Sequence, residues 1–239
     1  MKKRFYRNDD IEALAEQRLG ELERILERPL SPPIPIDLLG EQVLGLQILW
    51  DAIEELPGEI IFGGIMPKER LVILNDRRKA EFAAKPGLER STKGHEMGHW
   101  DLFVDKATLD HPALFDMGDG PFSLRSCHGG EAAVLKKLRE TKEGQDLLRK
   151  IESRADEPDE ARAVNRYAAA VSMPKRLIRE EALKIDRTKW PNLYRLAERF
   201  EVTISALRVR LEQLDLLHID KHGKLHESLD KASGQMSLF

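Results

Sequence analysis

The stretch "GHEMGHW", Gly94 to Trp100, sets two histidines four residues apart, with a glutamate directly after the first. Four residues of an α-helix turn the chain by about 400°, so His95 and His99 share one face, one turn apart. Both imidazoles can then reach one ion at the roughly 2.0–2.1 Å that zinc requires. Glu96 points about 100° away from His95, where it can act as general base toward a zinc-activated water. The stretch therefore predicts a hydrolytic zinc site.

The alternative is a surface helix that carries two histidines by chance. The neighbouring residues argue against it, because Gly, Met and Trp stand where a surface helix would carry charged side chains. Gly94 and Gly98 each cost roughly 1 kcal/mol relative to Ala inside a helix. We expect close approach of another segment, or of substrate backbone, to offset that cost.

Composition limits the classes of protein that fit. The chain has 239 residues, 41% of them hydrophobic, enough for one core and a small second domain. A net charge of -3 argues against a generally basic nucleic-acid binder. Cys127 is the only cysteine and no apolar signal segment follows "MKKRFYRNDD", which predicts a cytoplasmic protein. No run of 18 apolar residues exists, so we expect no membrane span.

The pattern around the motif predicts an α+β fold. A helix over "DDIEALAEQRLGELERILE", capped by Asp9 or Asp10, buries an apolar face that runs to Ile25. After the proline-rich "RPLSPPIPI" comes a short helix ending at Gly45. The strand-like runs "LQILW", "EIIFGGIM" and "RLVILN" are separated by turn signals, which predicts a small, mostly antiparallel sheet packed on helices. The helix that carries the motif follows.

A catalytic zinc needs a third protein ligand and one open position. The residue six positions past His99 is Asp105, but the metzincin pattern that uses this spacing has Gly at position 102, where this chain has Leu102. His111 and His128 lie in an irregular segment and are further candidates, although a loop histidine is more often simply exposed. An acidic residue on a later helix is another alternative.

Two sequence blocks resemble one known family. The blocks "RSTKGHEMGHW" and, from Asn165, "NRYAAAVSMP" resemble the ImmA/IrrE-type zinc metallopeptidases of bacteria and phages. "PPIPIDLLGEQVLGLQI", "FGGI" and "LVILN" are similar to that family's opening segment and sheet, so the resemblance covers roughly residues 10 to 215. It implies a zincin-like fold and a zinc endopeptidase that cuts a helix-turn-helix transcriptional repressor, in a stress response or in mobile-element regulation.

The chain departs from that family at the third zinc ligand. The family's glutamate stands four residues before the Asn, where this chain has Ala161, and Glu160 stands five before. We take Glu160 as the ligand, because a residue near a helix start can adjust its backbone. Its neighbours are alternatives, namely Asp156, Glu157 and Asp159. The displacement also keeps open a non-enzymatic binding module that docks a repressor or the bacterial sliding clamp.

Pattern and resemblance together divide the chain into four parts. They are an N-terminal helix (1–30), a zinc metallopeptidase domain (31–180), a helix-turn-helix-like segment (181–226) and a flexible tail (227–239). In the third part, Thr203 is expected to cap the second helix. A DNA-reading helix would expose Arg208 and Arg210. Acidic neighbours offset much of their positive charge, so we expect weak DNA binding. "HIDKHGKLHES" predicts a hairpin around Gly223.

The final five residues, "QMSLF", resemble the bacterial sliding-clamp-binding peptide. Met236, Leu238 and Phe239 would enter an apolar pocket while Gln235 forms a hydrogen bond beside it. The alternative is an apolar chain end.

Tyr167 has two possible roles. It could donate a hydrogen bond to an oxyanion, but a tyrosine in such a segment is more often a core residue.

Overall fold

The computed structural model describes residues 6–55, 60–85, 87–109, 159–220 and 223–228. Several predictions lie outside this part of the chain. They concern His111, His128, Asp156, Glu157 and the tail residues Gln235, Met236, Leu238 and Phe239. The statements below concern the described residues.

The fold is α+β, as predicted, and mostly helical. The helices are α1 (Asn8–Leu26), α2 (Ile36–Leu38, continuing into a π-helical turn at Leu39–Val43), α3 (Lys79–Ala84, after a 3₁₀ turn at Asp76–Arg78), α4 (Leu88–Phe103), α5 (Lys106–Leu109), α6 (Asp159–Ser172), α7 (Lys175–Leu183), α8 (Trp190–Phe200) and α9 (Ile204–Gln213). The strands are β1 (Gln47–Asp51), β2 (Gly63–Met66), β3 (Leu71–Asn75), β4 (His218–Ile219) and β5 (Leu225–His226). Among the described helices, none is long and apolar enough to cross a membrane.

The three-stranded sheet is mixed, which corrects the prediction of a mostly antiparallel one. β3 lies in the centre; β2 pairs with it antiparallel and β1 pairs with it parallel. The chain after β1 does not turn back beside it but crosses to the far side of β3. The buried Asn75 side chain holds this crossing segment, accepting from the Ile53 N–H at 3.1 Å and donating to the Ile61 carbonyl at 2.9 Å. Ile53, Ile61 and Ile73 add a small apolar cluster.

Helix α1 packs on the body through the predicted apolar face, with two corrections. Ile11, Ala15, Leu19 and Leu22 are buried, but Ile25 is 49% exposed, so the buried face ends one turn early. The N-cap is Arg7, not Asp9 or Asp10, because the Asp10 carboxylate reaches back to the Arg7 N–H at 3.3 Å from inside the first turn. This contact satisfies a backbone donor that has no partner within the helix.

The C-terminal helices α8 and α9 are joined by a three-residue turn, and Thr203 caps α9 as predicted by accepting from the Ala206 N–H at 3.1 Å. A DNA-reading helix would expose Arg210, but its side chain is 0% exposed. Its guanidinium donates to both Glu12 carboxylate oxygens at 2.6 and 2.9 Å and to the Met173 carbonyl at 3.0 Å. Of the two arginines expected to read DNA, only Arg208 is exposed. The predicted hairpin forms from β4 and β5.

Candidate metal centre

Helices α4 and α6 approach each other closely at the two motif glycines. A Cβ added at Gly94 would lie 3.3 Å from Ala168 Cα, and one added at Gly98 would lie 3.2 Å from the Val164 carbonyl oxygen. Both spacings are tighter than ordinary side-chain contacts, so Ala at either position would push the helices apart. The expectation that these glycines allow another segment to approach is confirmed. Because Gly94 meets the later residue of α6 and Gly98 the earlier one, the two helices run antiparallel.

The motif histidines face each other through their Nε2 atoms, which lie 3.2 Å apart. Two nitrogens bound to one tetrahedral zinc at 2.0–2.1 Å would lie roughly 3.3–3.4 Å apart. His95 Nδ1 lies 2.9 Å from the Asn165 amide oxygen on α6. Since that oxygen can only accept, Nδ1 of His95 carries a hydrogen, and whenever the ring is neutral its Nε2 has the lone pair, on the side of His99. The pair fits two ligand positions of a zinc site.

Glu160 stands in the first turn of α6 and reaches the second histidine. Its Oε1 lies 3.6 Å from His99 Nδ1, and its side chain is half-buried. The contact is with the ring nitrogen that does not face His95. The antiparallel packing explains why Glu160 meets this turn of α4: Asn165 lies at His95, and the start of α6 then lies at His99. The structure thus brings Glu160 to His99, on the side of the ring away from His95.

Glu96 and Asp105, two further acidic candidates, differ in how deeply they are buried. Glu96 is 1% exposed, whereas His95 and His99 are half-buried, so the glutamate lies on the inner side of α4. A carboxylate at that depth is screened little by water, and interactions with it are stronger than at the surface. Asp105 lies beyond the end of α4 and is exposed. Within the described ranges, no group of three or more His, Cys, Asp or Glu side chains is arranged to hold a metal ion.

Behind the motif, Asp101 anchors the end of α4. Its carboxylate is 0% exposed and accepts from Arg18 at 2.8 Å through two nitrogens, from Lys106 at 2.8 Å and from the Tyr167 hydroxyl at 3.0 Å. Burial alone would raise the pKa of Asp101, but the two cations outweigh it and hold the pKa below its usual range. Helices α1 and α6 are thereby tied to the motif helix.

The same cluster decides the role of Tyr167. Burial, and then the neighbouring Asp101 carboxylate, raise the pKa of Tyr167 well above its usual range, so the hydroxyl stays a donor. The side chain is fully buried. The interpretation of Tyr167 as a core residue is confirmed.

Sequence reasoning missed the roles of Asp101 and Asn165. Asn165 stood inside a quoted motif block, but its contact with His95 depends on how α4 and α6 pack. Asp101 directly follows the histidine motif, and an acidic residue there gave no signal by itself. Its partners Arg18 and Tyr167 lie 83 and 66 residues away.

Comparison with known proteins gives little further information. No protein-family model matches the sequence, and no curated protein matches it significantly. The solved structure of a Mycobacterium tuberculosis transcriptional regulator is similar at 14% identity and a TM-score of 0.46. The match covers 93% of this chain and 56% of that one, so this chain spans little more than half of that regulator's length. A likeness at this level assigns no function.

Proposed function

We propose that this chain is a zinc-dependent endopeptidase of the ImmA/IrrE type that acts in the cytoplasm. His95 and His99 hold the metal, Glu160 completes the ligand set, and Glu96 is the general base. The observation that carries the proposal is the pair of Nε2 atoms 3.2 Å apart, with the other nitrogen of His95 engaged by Asn165. Ligand histidines commonly have a hydrogen-bond acceptor on the second nitrogen in this way.

The protein's own groups divide the work. Bound zinc would supply Lewis-acid activation of a water molecule and of the substrate carbonyl. The Glu96 carboxylate would accept the proton from the attacking water and return it to the leaving amine. The burial of Glu96 supports this role, because it keeps bulk water away from the proton transfer. The half-buried histidines leave the outer side of the site accessible to a peptide.

The substrate class follows from the sequence resemblance alone. It is a helix-turn-helix transcriptional repressor, whose cleavage would release stress-response or mobile-element genes. The described C-terminal helices do not favour direct DNA reading by this chain, because the Arg210 guanidinium donates to Glu12 inside the protein and does not face solvent. We therefore propose that target choice depends on protein–protein contact.

The deciding experiment compares wild-type protein with Glu96→Gln in cells. The substitution keeps the size of the side chain and removes the base, so zinc content should be retained while cleavage falls about 10²–10⁴-fold. New protein N-termini, mapped after induction, should include sites within DNA-binding repressors for the wild type only. Cleavage of the same sites at equal rates in both proteins would refute the mechanism.

The matched control is Glu89→Gln on the same helix. Glu89 is partly exposed and pairs with the buried Lys93 at 2.6 Å, two turns before Glu96. Lys93 also pairs with Asp37 at 2.7 Å and keeps that partner in the variant, so Glu89→Gln should retain both zinc and cleavage. A loss of cleavage in the control would show that any carboxylate-to-amide change in α4 disturbs the protein.

A second candidate function is a binding module that keeps this scaffold without catalysis. It is favoured by the position of Glu160, whose closest approach to the histidines is to Nδ1 of His99 and not to the Nε2 pair. Such a module would dock a repressor, or the sliding clamp through Gln235, Met236, Leu238 and Phe239. In that case Glu96→Gln would change nothing in cells.

The clamp contact can be tested with a peptide covering Lys231 to Phe239. We expect about micromolar affinity for purified clamp, or about -8 kcal/mol, because a free peptide must be ordered on binding. Changing Leu238 and Phe239 to Ala should remove most of it, since a few apolar anchors dominate such contacts. Equal binding by the two peptides would remove the clamp as a partner.

A further inference from the structure

We propose that Asn165 is a positioning residue that holds His95 in the tautomer with hydrogen on Nδ1, so that the Nε2 lone pair points toward His99. The inference rests on the zinc site proposed above, because that lone pair is what a metal would use. It assigns a role to the Asn of the block "NRYAAAVSMP", which the zinc ligands and the general base leave unexplained.

The first argument is the hydrogen bond itself. His95 Nδ1 and Asn165 Oδ1 lie 2.9 Å apart, an ordinary N–H···O length. An amide oxygen has no hydrogen to give, so the imidazole must be the donor. A neutral imidazole carries one hydrogen, and the nitrogen 3.2 Å from His99 Nε2 is then the acceptor of the ring.

The second argument is that the two neighbours of Asn165 in the sequence are both held by other helices. Val164 is fully buried, and its carbonyl lies against Gly98 of α4, so this turn of α6 is packed directly on the motif helix. Arg166 pairs with Glu12 of α1 at 3.1 Å and fixes the other side of the same turn. The amide is therefore directed at His95 by the packing of three helices, which is what orienting a ligand requires.

The consequence is a preorganised metal ligand. If the amide is removed, the His95 ring can turn about χ2 and can place its hydrogen on Nε2, where it would block a metal. Loss of a partner of this kind typically lowers metal affinity by about 10–100-fold. A carboxylate at position 165 can still accept the same hydrogen bond, so Asn165→Asp should keep the tautomer that Asn165→Ala loses.

The experiment uses the full chain in two states. Metal-free protein at about pH 8, where free imidazole is neutral, is studied by long-range ¹H–¹⁵N correlation of the histidine side chains. The His95 signals are assigned by their loss in His95→Ala. Zinc affinity is then measured by competition with a chelator for wild type, Asn165→Ala and Asn165→Asp. Arg162→Ala is the control, because Arg162 lies on the same helix, is exposed and pairs with Asp159.

We expect His95 to show the Nδ1–H pattern in wild type, Asn165→Asp and Arg162→Ala, and to lose it in Asn165→Ala. Zinc affinity should fall about 10–100-fold in Asn165→Ala alone. An unchanged His95 pattern in Asn165→Ala, or wild-type zinc affinity in that variant, would overturn the inference. A wild-type protein that binds no zinc would refute the proposed function instead, while the metal-free spectra would still decide whether Asn165 sets the tautomer.

Discussion

Helix α4 carries two polar clusters, and they are built in opposite ways. Around Asp101, each contact joins an acceptor to a donor: the carboxylate meets Arg18, Lys106 and the Tyr167 hydroxyl. Around His95 and His99, two atoms of the same kind face each other, nitrogen against nitrogen at 3.2 Å. The first cluster joins opposite charges within the protein, whereas the second brings two ring nitrogens to one point, where the proposed zinc would bind both.

Under the proposed function, the difference separates a structural cluster from a metal-binding one. Removing a partner from the Asp101 cluster leaves a buried charge uncompensated, and the cost is paid in stability. If the proposed zinc site is correct, removing a histidine should lower metal affinity more than it lowers stability. The predictions below test this division, from the largest expected effect to the smallest.

Asp101→Asn should destabilise the protein most. The substitution keeps the shape but removes the charge that Arg18 and Lys106 face, and breaking a buried ion pair typically costs about 3–5 kcal/mol. Chemical denaturation measures the free energy of unfolding. Asp159→Asn is the control, because Asp159 is 58% exposed and pairs with Arg162, and such surface pairs contribute about 0–1 kcal/mol. Equal losses in both variants would contradict the anchoring role of Asp101.

Glu160→Ala should weaken zinc binding at least tenfold, or about 1.4 kcal/mol, whether Glu160 binds the metal or orients His99. The neighbouring Asp159→Ala should leave zinc affinity within about twofold, since exposed surface charges have little effect at this distance. Chelator competition gives both values. Identical affinities would move the third ligand elsewhere, with Asp105, His111, His128 and Glu157 next to test.

Low pH should weaken the cluster around Asp101. Burial raises the pKa of Asp101, but Arg18 and Lys106 outweigh it, and the net effect is a lowered pKa. The pKa of Glu12 is likewise lowered, because Arg210 and Arg166 outweigh the effect of burial. A carboxyl whose folded-state pKa is lowered stabilises the folded protein at pH values above about 4, the usual pKa of a carboxyl. This contribution is lost as the pH falls through the folded-state pKa. Unfolding free energies should therefore fall below about pH 4, and less steeply in Asp101→Asn. An equally steep fall in both would place the acid sensitivity elsewhere.

His99→Ala should have the smallest effect on the stability of metal-free protein, about 1 kcal/mol, because its carboxylate partner Glu160 is 33% exposed and stays in contact with water. Denaturation of chelator-treated wild type and variant measures it. A loss as large as that of Asp101→Asn would mean that the histidine pair is itself a structural cluster.

The sequence predicted the elements well where local patterns suffice. The apolar spacing of Ile11, Ala15, Leu19 and Leu22 predicted α1, and Thr203 marked the start of α9. The histidine pair followed from helix geometry alone, because i and i+4 always share a face. These features depend on residues within one or two helical turns of each other.

What the sequence could not show depends on contacts between distant segments. The parallel pairing of β1 with β3 is accompanied by the Asn75 contacts with the crossing segment. The buried Arg210 pairs with Glu12, 198 residues away. The contact between Asn165 and His95 requires the close packing that Gly94 and Gly98 permit. Periodicity finds the elements, but it does not say which polar side chains meet across them.

The most direct test of the central claim is the metal content of the purified protein. Elemental analysis of protein prepared without added metal should find one zinc per chain in the wild type and none in His95→Ala, with both proteins folded by circular dichroism. Zinc at full occupancy in His95→Ala, or folded wild type that neither contains zinc nor binds it when it is added, would contradict the account.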